Sequence, residues 1–296
     1  MALSVSDVGT TAELGFNIGG ISVLVSGPGH MKFRMGEAYS GFTGMSEPDI
    51  VLAVHGPEKN IAGRISGGLV FDSGLTWHLN HDNGRNVFSF YSQDYGKLPH
   101  KIAVIDEEFK SGDIFFGEMT DNICEPLEYP LDEVLMVNLL AVGRGLMAHG
   151  CGMEIRGDGL LFVGVSGSGK STMAKIAMKS AGAKILNDDR TIMRKIGSEY
   201  FIYGTPWHGE IDECCSESAP LKKIFFIKHA KDNKIRKLSP ADAVSRFISS
   251  SFPPFWSDKG MEFTMQFLSE LVSDIPVYEL GFLPEERVLE LINRDI

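Results

Sequence analysis

The stretch LLFVGVSGSGKSTMAKIAMKSAG, Leu160 to Gly182, constrains the fold more than any other part of the chain. It opens as an apolar β run, breaks through glycines, and continues as a helix pattern that stops at Gly182. Gly164-Val165-Ser166-Gly167-Ser168-Gly169-Lys170-Ser171 fits the pattern G-x-x-x-x-G-K-[ST]. Glycines at these places let successive backbone N–H groups converge on anionic oxygens, and the helix that follows turns its positive end towards them. A strand before and a helix after supply the context in which the pattern has physical meaning. The alternative is a glycine-rich turn that meets the pattern by chance. On the first reading the unit is a phosphate cradle for ATP. Gly164, Ser166, Gly167, Ser168, Gly169, Lys170, Ser171 and Thr172 are its contacts, Lys170 reaches the β- and γ-phosphates, and the Ser171 hydroxyl ligates Mg²⁺.

After the helix, AKILNDDR reads as a second strand that ends in Asn187-Asp188-Asp189-Arg190. Beside the cradle strand, such a strand would deliver its C-terminal end to the γ-phosphate. One carboxylate there can hold Mg²⁺ and a second can accept a proton from an attacking hydroxyl. Two carboxylates this close ionise together only with a cation between them. An exposed Asp-Asp at a strand end is the plain alternative.

MAHG, a strand pair, GVSGSGKST and ILNDDR, in that order, resemble the catalytic domain of HPr kinase/phosphorylase. That domain has the phosphoenolpyruvate-carboxykinase-like P-loop fold. The resemblance spans residues 145–215, with His149-Gly150 and Asp188-Asp189 in the matching places. It implies a carboxykinase-like P-loop core, and with the β-rich pattern of the N-terminal region before that core the expected fold is α/β. It also implies a Mg²⁺- and ATP-dependent kinase: Asp188 as general base, Asp189 helping to place the metal, and His149 near the transferred phosphate. Downstream, YGTPWHGE looks like the smaller HPr-kinase-like proteins, whose substrates vary. The expected reaction is transfer of a γ-phosphate to a hydroxyl. The first choice of acceptor is a serine or threonine of a peptide or protein, and a small-molecule alcohol is close behind. A nucleotide-gated regulatory module that hydrolyses ATP slowly is the reading from another class. A carboxykinase would need a basic oxaloacetate site and a transition-metal site, and the sequence offers neither.

Gly204-Thr205-Pro206-Trp207-His208-Gly209-Glu210 reads as an irregular loop after the strand YFIY. Two readings stand: a packed turn around a buried Trp, or a substrate loop in which Trp207 or His208 meets the acceptor and Glu210 assists Mg²⁺. His149 has its own alternative, a helix-end histidine favoured by the helix dipole. His78 and His81 flank a hairpin turn and read as solvated side chains.

Residues from 16 to about 118 read as short, mostly antiparallel strands punctuated by Gly, Pro and Asn-Gly, with a hairpin turn at Asp82-Asn83-Gly84. YPLDEVLMVNLLAVGRGLMAHG reads as a mostly apolar, buried helix with Pro130 at its start. RTIMRKIGSEYFIYGT reads as a hairpin turning at Gly197-Ser198. The C-terminal part reads as the helices SPADAVSRFISSSF, MEFTMQFLSELVSDI and PEERVLELI with one strand, PVYELGF. The expected domains are a β-rich region over 1–125 and the nucleotide-binding domain over 126–296.

The formal net charge of -11 argues against non-specific binding to nucleic acid or anionic membranes, which draw on Lys and Arg. Cys124, Cys151, Cys214 and Cys215 lack the spacing of a zinc site or a disulfide framework, so reduced thiols in a cytoplasmic protein are expected. The N-terminal twenty residues lack the basic start and apolar run of a signal peptide. VLMVNLLAVGRGLMA is too short to span a bilayer and is broken by Gly143, Arg144 and Gly145. The expected partners are a nucleotide and a hydroxyl acceptor, with no nucleic acid or membrane. A homo-oligomer is compatible with this composition.

Overall fold

The computed structural model describes residues 12–44, 46–74, 76–117, 119, 122–211 and 215–294. Cys214 and the first eleven residues lie outside the described residues. The fold is α/β with mixed sheets, and the chain divides into two compact units, 1–139 and 140–296.

The first unit carries β1 (Ala12–Ile18), β2 (Ile21–Gly27), β3 (Lys32–Phe33), β4 (Ile50–His55), β5 (Gly68–Asp72), β6 (Trp77–Asp82), β7 (Arg85–Phe90), β8 (Lys101–Asp106), β9 (Ser111–Phe116) and β10 (Ile123–Cys124). Its main sheet runs β1-β2-β4-β9-β8-β7-β6-β5. As expected it is mostly antiparallel, but β4 pairs in parallel with both β2 and β9. In β4, Ile50, Leu52 and Val54 are buried and alternate with more exposed neighbours, the pattern of a strand with one face on the core. The β6–β7 turn holds Asn83 and Gly84 at φ 48° and 75°, the positive values a type I′ hairpin requires.

No proline announces the start of β9, and its glycine, Gly112, stands inside the strand at the second position. The β8–β9 turn is closed by the Asp106 carboxylate, which accepts the Lys110 N–H at 3.0 Å. Phe109, buried in that turn, holds φ 54°.

The helix α1 (Leu131–Ala141) follows. It is shorter than its apolar pattern suggested. Arg144 and Gly145 both donate their N–H groups to Leu140 O, which closes the helix. Gly145 then lies against the Met193 carbonyl, where a Cβ would sit 2.2 Å from the oxygen. The following residues are a strand, so His149 is not at a helix end. Among the described residues no helix is long and apolar enough to cross a membrane.

The second unit carries β11 (Leu146–Ile155), β12 (Asp158–Val163), α2 (Lys170–Ala181), β13 (Lys184–Asn187), β14 (Arg190–Ile196), β15 (Glu199–Tyr203), β16 (Ser218–His229), β17 (Lys234–Lys237), α3 (Pro240–Ile248), α4 (Asp258–Asp274), β18 (Val277–Phe282) and α5 (Arg287–Arg294). The strand path is β12-β11-β14-β15-β16-β18-β17, with β13 added to β11 and β12 also paired to β16. The long strands β11 and β16 take part in two sheets. Their first residues pair with β14 and β15, and their later residues frame β12. β12, β16 and β18 run parallel.

Helices cover both faces of this sheet. Phe247 of α3 and Leu268 and Leu271 of α4 pack on Ile224, Phe226 and Val277. Met173, Ala174 and Ala177 of α2, with Val288, Leu289 and Ile292 of α5, pack on Phe162, Phe225 and Leu280. Adjacent strand residues point to opposite faces, so Phe225 and Phe226 serve different cores. Ser239 caps α3 by accepting the Asp242 N–H, with Pro240 at the first position. The hairpin at Gly197 forms as expected, Ile196 pairing with Glu199.

β13 does not pair with β12, contrary to the expected neighbour. It pairs with β11, which lies between them. Both pairings are antiparallel, so β13 runs in the same direction as β12 and still brings Asn187 to the sheet end where the glycine-rich loop begins.

Candidate functional site

The loop between β12 and α2 starts at Gly164. Val165, Ser166 and Gly167 are exposed, and Val165 is 71% exposed despite being apolar. Gly169 caps α2 with φ 101°, and a Cβ there would lie 2.8 Å from the Phe282 ring, so only glycine fits. Ser168 is buried, and its Oγ has no hydrogen-bond partner among the described residues. A buried hydroxyl without a partner is costly and marks a place where a ligand or water completes the bonding. Ser171 and Thr172 are half-buried on the first turn of α2.

Lys170 is 7% exposed and folds back over the loop. Its Nζ donates to Gly164 O at 2.7 Å and Val165 O at 3.3 Å, and lies 3.1 Å from His149 Nε2. Burial lowers its pKa, against the upward pull of the charges of Asp189, Cys151, Asp188 and Glu210. His149 stands on β11, and its N–H donates to Ser250 O at 2.8 Å. Its other ring nitrogen, Nδ1, is 3.0 Å from Asp189 Oδ1. The imidazole therefore bridges the loop lysine and the second aspartate.

Asp189 also pairs with the Arg190 guanidinium, which lies 5.2 Å from the centre of the Phe252 ring. Burial raises the Asp189 pKa, but the hydrogen bond from His149 and the Arg190 charge more than offset this, and the net shift is downward.

Asp188 is nearly fully buried, at 2% exposure. Its Oδ1 accepts the Gly209 N–H at 2.6 Å, and its Oδ2 accepts the Ile211 N–H at 3.0 Å. The loop after β15 is thus wrapped on this carboxylate. Trp207 of that loop is buried, at 9% exposure, while His208 and Glu210 are exposed.

The residue that organises these parts is Asn187, which the motif reading passed over. It is fully buried, and its Oδ1 accepts the N–H groups of Asp189 at 2.7 Å and Arg190 at 2.6 Å. Its Nδ2 donates to Thr205 O at 2.9 Å and Trp207 O at 3.1 Å. One side chain folds the Asp-Asp turn and anchors the Trp207 loop against it. The signal was present: an Asn followed by polar residues at a strand end is the usual seed of such a turn. Arg190 was also missed as a site residue, as was the 250–252 segment that borders His149.

The structure thus brings Lys170, His149, Asp189 and Arg190 into one contact chain, with Asp188 on the adjoining turn. It does not bring His208 into that chain. Cys151, on β11, is fully buried, and burial followed by the Asp188 charge raises its thiol pKa. With Cys124 and Cys215 it is a free thiol. His78, 3.1 Å from Asp72, and His81, 3.4 Å from Asn86, belong to the first unit's sheet. Among the described residues no group of three or more His, Cys, Asp or Glu is placed to hold a metal ion.

No curated protein matches the chain. Among solved structures, the Hpr(Ser) kinase/phosphatase from Coxiella burnetii is similar at 12% identity and a TM-score of 0.31, over 50% of this chain and 94% of that one. The family model of SynChlorMet cassette protein ScmC matches residues 132–292, more than half of the chain, and the chain belongs to that family.

Proposed function

We propose that the chain is a Mg²⁺- and ATP-dependent phosphotransferase with a carboxykinase-like P-loop core. On this reading it transfers the γ-phosphate to a hydroxyl, first of a serine or threonine in a peptide or protein and second of a small-molecule alcohol. The single observation that carries the reading is the chain Lys170–His149–Asp189 at the mouth of a glycine-rich loop between a buried strand and a helix. A cation for the leaving phosphates and a carboxylate beside them are parts that phosphoryl transfer needs, and here an imidazole joins the two.

The residues fit the nucleotide. The loop tip is open, α2 turns its N-terminus towards it, and the Ser168 hydroxyl is buried and unpartnered among the described residues. They also fit Mg²⁺, which takes one or two protein oxygens and completes its shell with phosphate and water. Ser171 and Asp189 would hold it, with Glu210 at the edge. When bound, Mg²⁺ neutralises charge on the β- and γ-phosphate oxygens.

Lys170 moves from its own loop carbonyls to the phosphate oxygens as nucleotide enters. The acceptor hydroxyl attacks the γ-phosphorus, the bond to the bridging oxygen breaks, and the hydroxyl proton passes to Asp188. Each Asp188 oxygen takes one backbone N–H and keeps a second lone-pair direction for that proton. His149 holds Asp189 and Lys170 in register.

The two backbone bonds on Asp188 favour a second reading, in which this carboxylate only fixes the Trp207 loop and the chain is a nucleotide-gated module. One experiment tests both. Purified chain is incubated with γ-labelled ATP, Mg²⁺, and panels of serine peptides and alcohols. Label on an acceptor supports the kinase, and release of phosphate alone supports the module. Neither activity, with no measurable ATP binding, overturns both.

A further inference from the structure

On the far side of the same sheet, three cations converge on one carboxylate. Glu279 of β18 has a side chain only 15% exposed. Its Oε2 accepts from Arg246 Nη2 of α3 at 2.7 Å, and its Oε1 lies 3.0 Å from Lys228 Nζ of β16 and 3.5 Å from Arg236 Nη2 of β17. We propose that this cluster is the docking surface for an acidic segment of the acceptor, so that the hydroxyl to be phosphorylated is flanked by carboxylates. This rests on the phosphotransfer reading.

Charge is the first support. One carboxylate answers three cations, which leaves an excess of two positive charges in a chain whose formal net charge is -11. Burial raises the pKa of Glu279, but Arg246 and Lys228 more than offset this and bring it to about 2. Glu279 is therefore ionised throughout the working range and acts as an anchor. The cations it anchors still face outward: the side chains of Lys228 and Arg236 are 59% and 58% exposed. A guanidinium has five N–H donors and an ammonium three, so donors remain for a ligand. Arg246 is further steadied by the Phe226 ring, 5.7 Å away. Cations held in place lose less freedom when they bind an anion.

Position is the second support. β16 runs parallel to β12, and its C-terminal end lies against the loop. A Cβ on Gly164 would be 3.1 Å from Ile227 O, and one on Gly169 would be 3.1 Å from His229 Cε1. Lys228 is the residue between these two contacts. On the other flank, Arg246 is one helical turn before Ser250, whose carbonyl accepts the His149 N–H. The cluster thus borders the site at both ends. Ligands of such sheets sit beyond the carboxyl ends of the strands.

The alternation of side chains separates this cluster from the nucleotide. Phe226 belongs to the α3–α4 core, and Glu279 pairs beside it. Ile227 and Leu280 belong to the α2 core on the opposite face. The nucleotide cradle and the basic cluster thus share one sheet end, with the cluster on the α3–α4 face and the cradle helix α2 on the other.

Three serine peptides of equal length, flanked by glutamates, alanines or lysines, test the proposal by fluorescence anisotropy. They are titrated into wild type and the double variant Lys228→Gln/Arg236→Gln, and Mg-ATP affinity is measured in parallel by calorimetry. Both substituted side chains are largely exposed, and circular dichroism checks the fold. The glutamate peptide is expected to bind wild type about tenfold tighter than the alanine peptide, an advantage lost in the double variant and in high salt. ATP affinity should stay within about twofold, since neither residue faces the cradle. Equal binding of the three peptides by wild type overturns the proposal. So does a double variant that loses ATP affinity and keeps the peptide preference, because the cluster would then serve the nucleotide. If wild type prefers the glutamate peptide but binds no ATP, the acidic-segment surface stands and the phosphotransfer reading alone falls.

Discussion

His149 Nδ1 lies 3.0 Å from Asp189 Oδ1 in the second unit. This pair and the Arg190 charge hold the Asp189 carboxyl below its usual value although burial pushes it up. The sign of the pH effect follows. A depressed folded-state pKa adds stability that is present above the unfolded carboxylate value, and that stability is lost as pH falls through the folded one. His149→Gln removes the imidazole that hydrogen-bonds the carboxylate, so Asp189 should titrate at higher pH and the acid limb of the stability curve should weaken. Carboxylate titration by NMR, with urea unfolding between neutral and acid pH, measures both. An unchanged Asp189 titration would show that the pair carries no charge coupling.

Lys170→Ala should nearly abolish phosphoryl transfer. It removes the one loop cation that can follow negative charge onto the leaving oxygens, a loss on the order of 3 kcal/mol or more in the barrier. The same change deletes the contacts to Gly164 O, Val165 O and His149, so the loop should also exchange amide hydrogens faster. Turnover equal to wild type in folded variant would remove the loop from the mechanism.

How much of this was legible follows from where the signals lie. β12, the loop and α2 were readable because apolar run, glycine spacing and helix pattern are contiguous. The switch from α1 to β11 was not. β11 is buried almost throughout, so its apolar residues show no alternation and read as more helix. β17, KIRK, has too few apolar residues to register as a strand. In the site, Lys170, His149 and Asp189 were each readable, but the bridging role of His149 was not, because it depends on β11 lying between β12 and β13. Lys228, Arg236, Arg246 and Glu279 come from four elements. Nothing local links them, and only the fold makes them one cluster.

Magnesium should enter with the nucleotide and not before it. Among the described residues no three metal-binding side chains converge, and Mg²⁺ is held weakly by one or two carboxylates without phosphate. Calorimetry of Mg²⁺ into nucleotide-free chain should give no saturable heat, whereas ATP affinity should rise when Mg²⁺ is present. Ser171→Ala and Asp189→Asn should each reduce that gain. Tight Mg²⁺ binding without nucleotide would mean that further ligands complete a preformed site.

Asp188→Asn separates a catalytic base from a loop anchor. The amide has nearly the shape of the carboxylate but offers one acceptor oxygen where Asp188 uses two, for the N–H groups of Gly209 and Ile211. One of those N–H groups must then face the new NH₂. Losing a hydrogen bond to a charged acceptor and leaving a donor buried should cost about 1–3 kcal/mol of stability. The cost should fall on the Trp207 loop, read as faster hydrogen exchange at 207–211. If Asp188 also takes the acceptor proton, transfer should drop by about 10² to 10⁴, the usual contribution of a positioned base. Mg-ATP affinity should change only a few-fold, because the hydrogen bonds of Asp188 go to Gly209 and Ile211 and not to the cradle lysine. Gly209→Pro supplies the control. It deletes one of the two N–H donors and sets a Cβ 3.1 Å from Asp188 Oδ2, so it loosens the loop and keeps the carboxylate, which has to give only slightly. A kinase with Asp188 as base should lose far more transfer in Asp188→Asn than in Gly209→Pro at similar loop exchange. Equal losses in the two variants would make Asp188 the anchor of the loop, and the proton would then have to pass to Asp189 or His149.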